Sequence, residues 1–215
     1  MPTGRIIRER RSIPAKRPLL YYITGRNQLA GRSLISCIRR NIDRVDFIQI
    51  REKDLDDRAL YELVSRAVSM ARGKRCRILV NGRADIAMAA GAHGVHLPST
   101  GLTVRDLRKW LPRDFLVGVS VHTVGEIRRA SAEGADYVLM GHVFATKSKE
   151  GYGRPVGLSG LRRACAVSPV PVFGLGGITP DRIQPVLDAG AVGVAAITMF
   201  QLPDAWRLWR QRVGE

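Results

Sequence analysis

His122 ends the run Leu116-Val117-Gly118-Val119-Ser120-Val121, which is apolar, β-branched and as long as a strand buried on both faces. An imidazole of near-neutral pKa at a strand end can take a proton from carbon and return it, and that is the chemistry its position suggests. The next apolar run, Tyr137-Val138-Leu139-Met140, leads into Gly141-His142-Val143-Phe144 and a polar loop in which Thr146 offers a hydroxyl and Lys149 a cation. Arg51 and Lys53 alternate around Glu52, so both cations fall on one side of another strand end, where they can hold a carboxylate or phosphate. Gly176-Gly177-Ile178-Thr179-Pro180 and Ile197-Thr198 provide two further loops, and glycine lets backbone N–H groups come close to an anion. Asn81 and Ser120 complete the set as polar side chains at strand ends. His142 fits a supporting role at the site and a purely structural one equally well. His93 and His96 lack carboxylate or cysteine partners at ligand spacing, so no metal site is expected.

The elements that must position these groups follow from hydrophobic periodicity. Strands are expected at 19–24, 46–50, 77–80, 94–97, 116–121, 137–140, 172–175 and 194–197. Helical spacing covers 27–40 and then a segment with an apolar face of Leu60, Leu63, Val64, Ala67 and Val68, which Gly73 is placed to stop. A shorter helix is expected at 84–90, another begins at Thr123, and an apolar final helix carries Trp206, Leu208 and Trp209. Eight strands thus alternate with eight helices. An internal echo supports the count: Gly91-Ala92-His93-Gly94-Val95, Gly134-Ala135-Asp136-Tyr137-Val138 and Gly190-Ala191-Val192-Gly193-Val194 precede or enter strands four, six and eight. The expected fold is α/β, a single closed (β/α)8 TIM barrel, preferred to an open doubly wound sheet because the elements are many and short. In such barrels the carboxyl ends of the strands carry the ligand, and the loops after strands seven and eight hold phosphate.

With 215 residues and 45% hydrophobic content, the chain can bury one large core, and it has no linker-like segment. Residues 1–17 are read as a basic, disordered arm and 18–215 as the barrel domain. The formal net charge of +16 is scattered over arginine-rich outer helix faces, so a nucleic-acid partner is not expected. Arg10-Arg11 is followed by Ser12-Ile13-Pro14-Ala15-Lys16, not by the apolar stretch of an export signal, and no run approaches the ~20 apolar residues of a membrane span. Cys37, Cys76 and Cys165 are odd in number and widely spaced, which fits a reducing cytoplasm.

Residues 19–201 resemble the thiamine phosphate synthase superfamily. The resemblance rests on Gln49-Ile50-Arg51-Glu52-Lys53, Gly94-Val95-His96-Leu97, Ser120-Val121-His122, Phe144-Ala145-Thr146-Lys147-Ser148-Lys149 and Gly176-Gly177-Ile178 in that order. The synthase couples a pyrimidine diphosphate to thiazole phosphate with magnesium, and its pattern places aspartates in the loops after strands three and four. Here those loops read Asn81-Gly82-Arg83 and Pro98-Ser99-Thr100-Gly101. These departures look like the TenI-type thiazole tautomerase branch, which implies aromatisation of a thiazole carboxylate phosphate by a single histidine with no cofactor. On that expectation His122 is the acid and base. Gly176, Gly177, Ile197 and Thr198 hold the phosphate, and Arg51, Lys53, Asn81, Ser120, Thr146 and Lys149 contact substrate. The alternatives are the synthase itself, with Mg²⁺, and a regulator that has kept the fold. The resemblance also implies a homodimer.

Overall fold

The computed structural model describes residues 13, 17–29, 31–146 and 153–202. Lys149, the final helix with Trp206, Leu208 and Trp209, and nearly all of the expected arm at 1–17 lie outside the described residues.

Eight strands pair in parallel, each with its neighbour in sequence: β1 (Leu19–Ile23), β2 (Phe47–Ile50), β3 (Arg77–Asn81), β4 (Gly94–Leu97), β5 (Leu116–Val121), β6 (Tyr137–Gly141), β7 (Val172–Leu175) and β8 (Gly193–Ala196). β8 returns to β1 through the register Leu19↔Gly193 to Tyr22↔Ala196, which closes the barrel. The expected barrel is therefore present, with strand limits displaced by one residue or so. Between the strands run α1 (Leu34–Asn41), α2 (Asp57–Ala71), α3 (Ala84–Ala89), α4 (Val104–Arg108), α5 (Val124–Glu133), α6 (Gly157–Val167) and α7 (Ile183–Asp188), and α8 (Thr198–Gln201) follows β8.

One expected helix, 27–40, is shorter than its periodicity suggests. Arg26–Gln28 form a 3-10 turn, Gly31 has φ +81°, and the helix proper starts only after Ser33, whose hydroxyl caps the N–H of Ser36. Capping also explains α5. Thr123 accepts from the N–H of Glu126 while the Glu126 carboxylate reaches back to the cap, a reciprocal pair that fixes where the helix leaves β5.

The internal echo has a local cause. Gly91, Gly134 and Gly190 all have φ between +68° and +99°, and the alanine after each donates its N–H back to the helix, Ala92 to Ala87, Ala135 to Ala130 and Ala191 to Val186. This is a left-handed glycine helix stop used three times, after α3, α5 and α7, and it delivers the chain into an even-numbered strand each time.

The core has two layers. Between strands and helices lies the larger cluster, with Leu20, Tyr22, Ile48, Ile78, Val95, Val117, Val138 and Val194 pointing outward from the sheet. Inside the barrel, Leu19, Tyr21, Phe47, Leu79, Leu116, Tyr137, Leu139, Phe173 and Ala195 fill the axis. The rings of Tyr21, Phe47, Tyr137 and Phe173 pack with centroids 5.5 to 6.1 Å apart. The barrel floor is thus solid, and only its carboxyl-end mouth is free for chemistry.

Candidate active site

Side chains alternate along each strand, so the parity that turns Phe47, Leu79, Leu116 and Ala195 inward also turns Gln49, Arg51, Asn81, Ser120, His122 and Ile197 toward the axis at successively higher levels. The structure thereby brings five of the expected site residues, Arg51, Asn81, Ser120, His122 and Ile197, to one mouth. Arg51 is half-buried, and no partner of its guanidinium is found among the described residues, while its N–H is held by the Thr24 hydroxyl at 2.9 Å. Lys53 lies one turn beyond and is exposed. Asn81 leans its amide toward the His96 carbonyl at 3.4 Å.

His122 is exposed at the rim. Its Nδ1 lies 2.6 Å from the Gly141 carbonyl oxygen, which can only accept, so Nδ1 carries the proton and Nε2 is left without a partner among the described residues. The backbone N–H of His122 donates to Glu126, so the same capping device that starts α5 also anchors this residue.

Below the mouth lies a feature that sequence reasoning missed. Gln49 Nε2 donates to the Tyr21 hydroxyl at 2.8 Å, Tyr21 and Tyr137 join their hydroxyls at 3.0 Å, Tyr137 reaches His96 Nδ1 at 3.3 Å, and His96 Nε2 meets Ser120 Oγ at 2.9 Å. Five strands contribute one residue each. Burial, with the Arg51 charge second, pushes His96 down to about 3, so its ring is neutral at ordinary pH. Burial likewise raises both phenols, which stay protonated. The signal was available: Gln49 and His96 are polar at inward parity in otherwise apolar strands. His93, by contrast, sits before β4 at the opposite end, where Nδ1 accepts the N–H of Ile78.

The loops after β6, β7 and β8 meet on the other arc of the mouth. Gly176 and Gly177 have φ +98° and +66°, and a Cβ on either would lie 2.4 Å from His142 Cβ or 2.8 Å from Phe144 Cβ. Their glycine character is thus demanded by close packing of one loop on the other, beyond any approach to an anion. His142 is buried beneath Gly176 as a packing group. The carbonyls of this loop are used: Phe144 N–H donates to Gly176, and Arg182, stacked 4.7 Å over the Phe144 ring, donates to Gly177. No hydrogen bond among the described residues is donated by the backbone N–H of Gly176, Gly177, Ile178 or Thr198. Thr198 spends its hydroxyl on Gln28 at 2.7 Å.

Residues 20–200 match the family model described as thiamine monophosphate synthase. The chain belongs to that family. A thiamine-phosphate synthase of Moorella thermoacetica is 38% identical over 180 residues, 83% of this chain and 86% of that one. A thiamine-phosphate synthase of Methanoculleus marisnigri is 38% identical over the same share of this chain and 85% of its own. A solved thiamine phosphate pyrophosphorylase from Pyrococcus furiosus superposes with TM-score 0.81 at 29% identity, covering 91% of this chain and 95% of that one.

These relatives overturn the expected tautomerase. The expectation weighed two missing loop aspartates above the rest of the pattern, whereas relatives similar across more than four-fifths of both chains carry the synthase name. The magnesium of that family needs hard oxygen ligands. In this family member Asp54 is held by Arg26, Asp57 and Asp85 by Arg83, and Glu126 by the α5 cap, while the buried Glu52 lies 3.7 Å from Arg26 through Oε2 and its Oε1 has no partner among the described residues. Among the described residues no group of three His, Cys, Asp or Glu could hold a metal ion. Among the described residues this donor set offers no complete ligand set for a protein-held Mg²⁺.

Proposed function

We propose that the chain is a thiamine phosphate synthase, joining a pyrimidine diphosphate to thiazole phosphate with release of pyrophosphate. The ring nitrogen of the thiazole forms a bond to the pyrimidine's methylene carbon as the carbon–oxygen bond to the diphosphate breaks, and the electron pair leaves with pyrophosphate. No proton has to be taken from carbon, so the protein's work is to place two anionic substrates and neutralise the charge that develops on the leaving group.

The observation that carries this reading is that cationic and polar side chains line one arc of the mouth and loop backbone N–H groups another, in a chain of this family, and we read the two arcs as two anion stations. Arg51 and Lys53, with Asn81 beside them, supply cations and a polar side chain after β2 and β3. We assign them, with Lys149, to the diphosphate. Gly176, Gly177 and Thr198 supply backbone N–H groups that donate to nothing among the described residues, and with Ile197 and Thr146 we assign them to the thiazole phosphate. His122, its Nδ1 spent on Gly141, offers Nε2 as a hydrogen-bonding group to bound substrate and has no carbon acid to ionise. With Asp54, Asp57 and Asp85 held in ion pairs, we assign the neutralisation to cationic side chains and assign no cofactor.

The test is pyrophosphate release monitored by a coupled assay with both substrates present. Release should require both. Release from neither, with tight binding of some other phosphorylated compound, would end the proposal. No helix among the described residues is long and apolar enough to cross a membrane.

A further inference from the structure

A groove of about 240 Å³ lies outside the barrel, where α1 and the turn before it meet the end of α8. Ser33, Ser36, Cys37 and Arg40 recur at the three- and four-residue spacing that puts them on one face of α1, and Arg32 and Gln201 line the groove beside them. Its volume is below the ~300 Å³ at which pockets for drug-sized ligands begin, so the ligand that fits is small. The lining is chemically one-sided, for it holds two arginines and no carboxylate. Arg32 donates through Nε to the Leu29 carbonyl at 3.0 Å, and its two terminal nitrogens have no partner among the described residues. Arg40 uses one terminal nitrogen, on the Gln201 carbonyl at 3.1 Å and the Cys37 sulfur at 3.3 Å, which leaves its Nε and Nη1 unused among the described residues. Arg26, Arg83 and Arg108, by contrast, are each paired with a carboxylate. Ser33 and Ser36 add two exposed hydroxyls, and Gln201, fully buried, leaves Oε1 without a partner among the described residues.

We infer that this groove is a second ligand site, separate from the barrel mouth, that takes a small carboxylate-bearing molecule between Arg32 and Arg40 and brings it over the Cys37 sulfur. Guanidinium groups with unused donors and no competing acid are what a carboxylate needs, and the hydroxyls of Ser33 and Ser36 extend the same donor surface. The sulfur is fixed in place at the floor. Arg40, Tyr22 and Asn41 all donate to it, at 3.3, 3.4 and 3.6 Å, while its own hydrogen points to the Phe200 carbonyl at 3.6 Å. The inference goes beyond the synthase reading and does not lean on it, since none of these residues faces the mouth and the test reads no enzyme activity.

Cys37 can report on the groove through two alkylating reagents of nearly equal size, iodoacetate, which carries a carboxylate, and iodoacetamide, which is neutral. With either one the sulfur's electron pair attacks the methylene carbon, iodide leaves with the carbon–iodine pair, and the thiol proton passes to water. Mass spectrometry of the digested full-length protein gives the rate at each cysteine, and Cys165, half-buried on α6, supplies the ratio of the two reagents away from the groove. At Cys37 the ratio of iodoacetate to iodoacetamide should exceed that at Cys165 roughly tenfold or more, the iodoacetate rate should saturate with concentration, and unreactive acetate should slow it. Arg32→Gln, which leaves every contact of the sulfur intact, should lower the iodoacetate rate roughly five- to tenfold and change the iodoacetamide rate less than about twofold. If Arg32→Gln does not fold, Arg40→Gln should lower the ratio at Cys37 toward that at Cys165. Equal ratios at the two cysteines in the unaltered protein, or a variant that slows both reagents alike, would overturn the inference. So would a Cys37 that neither reagent modifies while Cys165 reacts, because the sulfur would then lie beyond a ligand's reach.

Discussion

Acid should destabilise this protein through His96. The ring is fully buried and its pKa is pushed from 6.5 to about 3 by desolvation, with Arg51 adding to the effect. The unfolded chain therefore binds a proton at this position between pH 6.5 and about 3 while the folded chain does not. Stability is full above 6.5, falls as pH drops below it, and stops falling near 3. Each unit in that window is worth about 1.4 kcal/mol, so going from pH 7 to pH 5 removes about 2 kcal/mol. Because the group is buried, solvent screening does not reduce this, and the loss is a large part of a typical domain's stability. The assay is urea unfolding at both pH values on the unaltered protein and on His96→Gln, which cannot titrate. All other groups contribute equally to both proteins, so the difference in pH dependence isolates His96. The unaltered protein should lose about 2 kcal/mol more than the variant. Equal losses, or a His96 ring that titrates near 6.5 in the folded state, would refute the argument.

Other substitutions address the two anion stations. Arg51→Ala should weaken binding of inorganic pyrophosphate roughly ten- to hundredfold by calorimetry, the usual worth of a charge-assisted hydrogen bond in a partly buried site; unchanged affinity would remove Arg51 from the diphosphate station. Gly177→Ala forces a Cβ into left-handed backbone at 2.8 Å from Phe144 Cβ, and should cost about 1 to 3 kcal/mol in urea unfolding while displacing the loop after β7. A neutral result would mean that the two loops slide apart freely. If Arg51 and Lys53 supply the neutralising charge, pyrophosphate release should persist when divalent cations are chelated; its abolition would show that an ion carried by the substrates' phosphate oxygens, or held by Glu52 through its unpaired Oε1, supplies it.

Much of the fold was legible because a parallel barrel writes its strands as short apolar runs buried on both faces, and its helix stops as glycines. The misjudged helix at 27–40 shows where periodicity stops being informative. Leu29 is buried and in phase with Leu34, Ile35 and Ile38, yet Gly31 and the Ser33 cap break the backbone between them. Amphipathic spacing records which residues are covered and not whether one helix covers them. The placement of Arg51, Asn81, Ser120 and His122 at one mouth was legible because they stand at or just beyond strand ends, the rim where barrels of this kind place their ligands. The Gln49-to-Ser120 chain was recoverable only in part: Gln49 and His96 stand out as polar at inward parity, but which groups they meet is decided across the barrel. Gln49 and Ser120 are separated by β3 and β4, and Tyr21 and Tyr137 come from strands that never pair.

The error over the reaction has the same root. Two absent carboxylates were weighed as though a metal site were the only way to neutralise a diphosphate. What a leaving pyrophosphate needs is positive charge held where the negative charge develops, and an arginine that needs no ion-pair partner of its own can meet that need. Arg51 is such a residue: half-buried, turned to the axis, and free of any carboxylate among the described residues, while Arg26 and Arg83 nearby are each held by two. Among the described residues the rim thus separates arginines that tie loops together from Arg51, which has no carboxylate partner. On the proposed reading, this division, more than the identity of the residues in either aspartate loop, is what suits the mouth to a doubly anionic substrate.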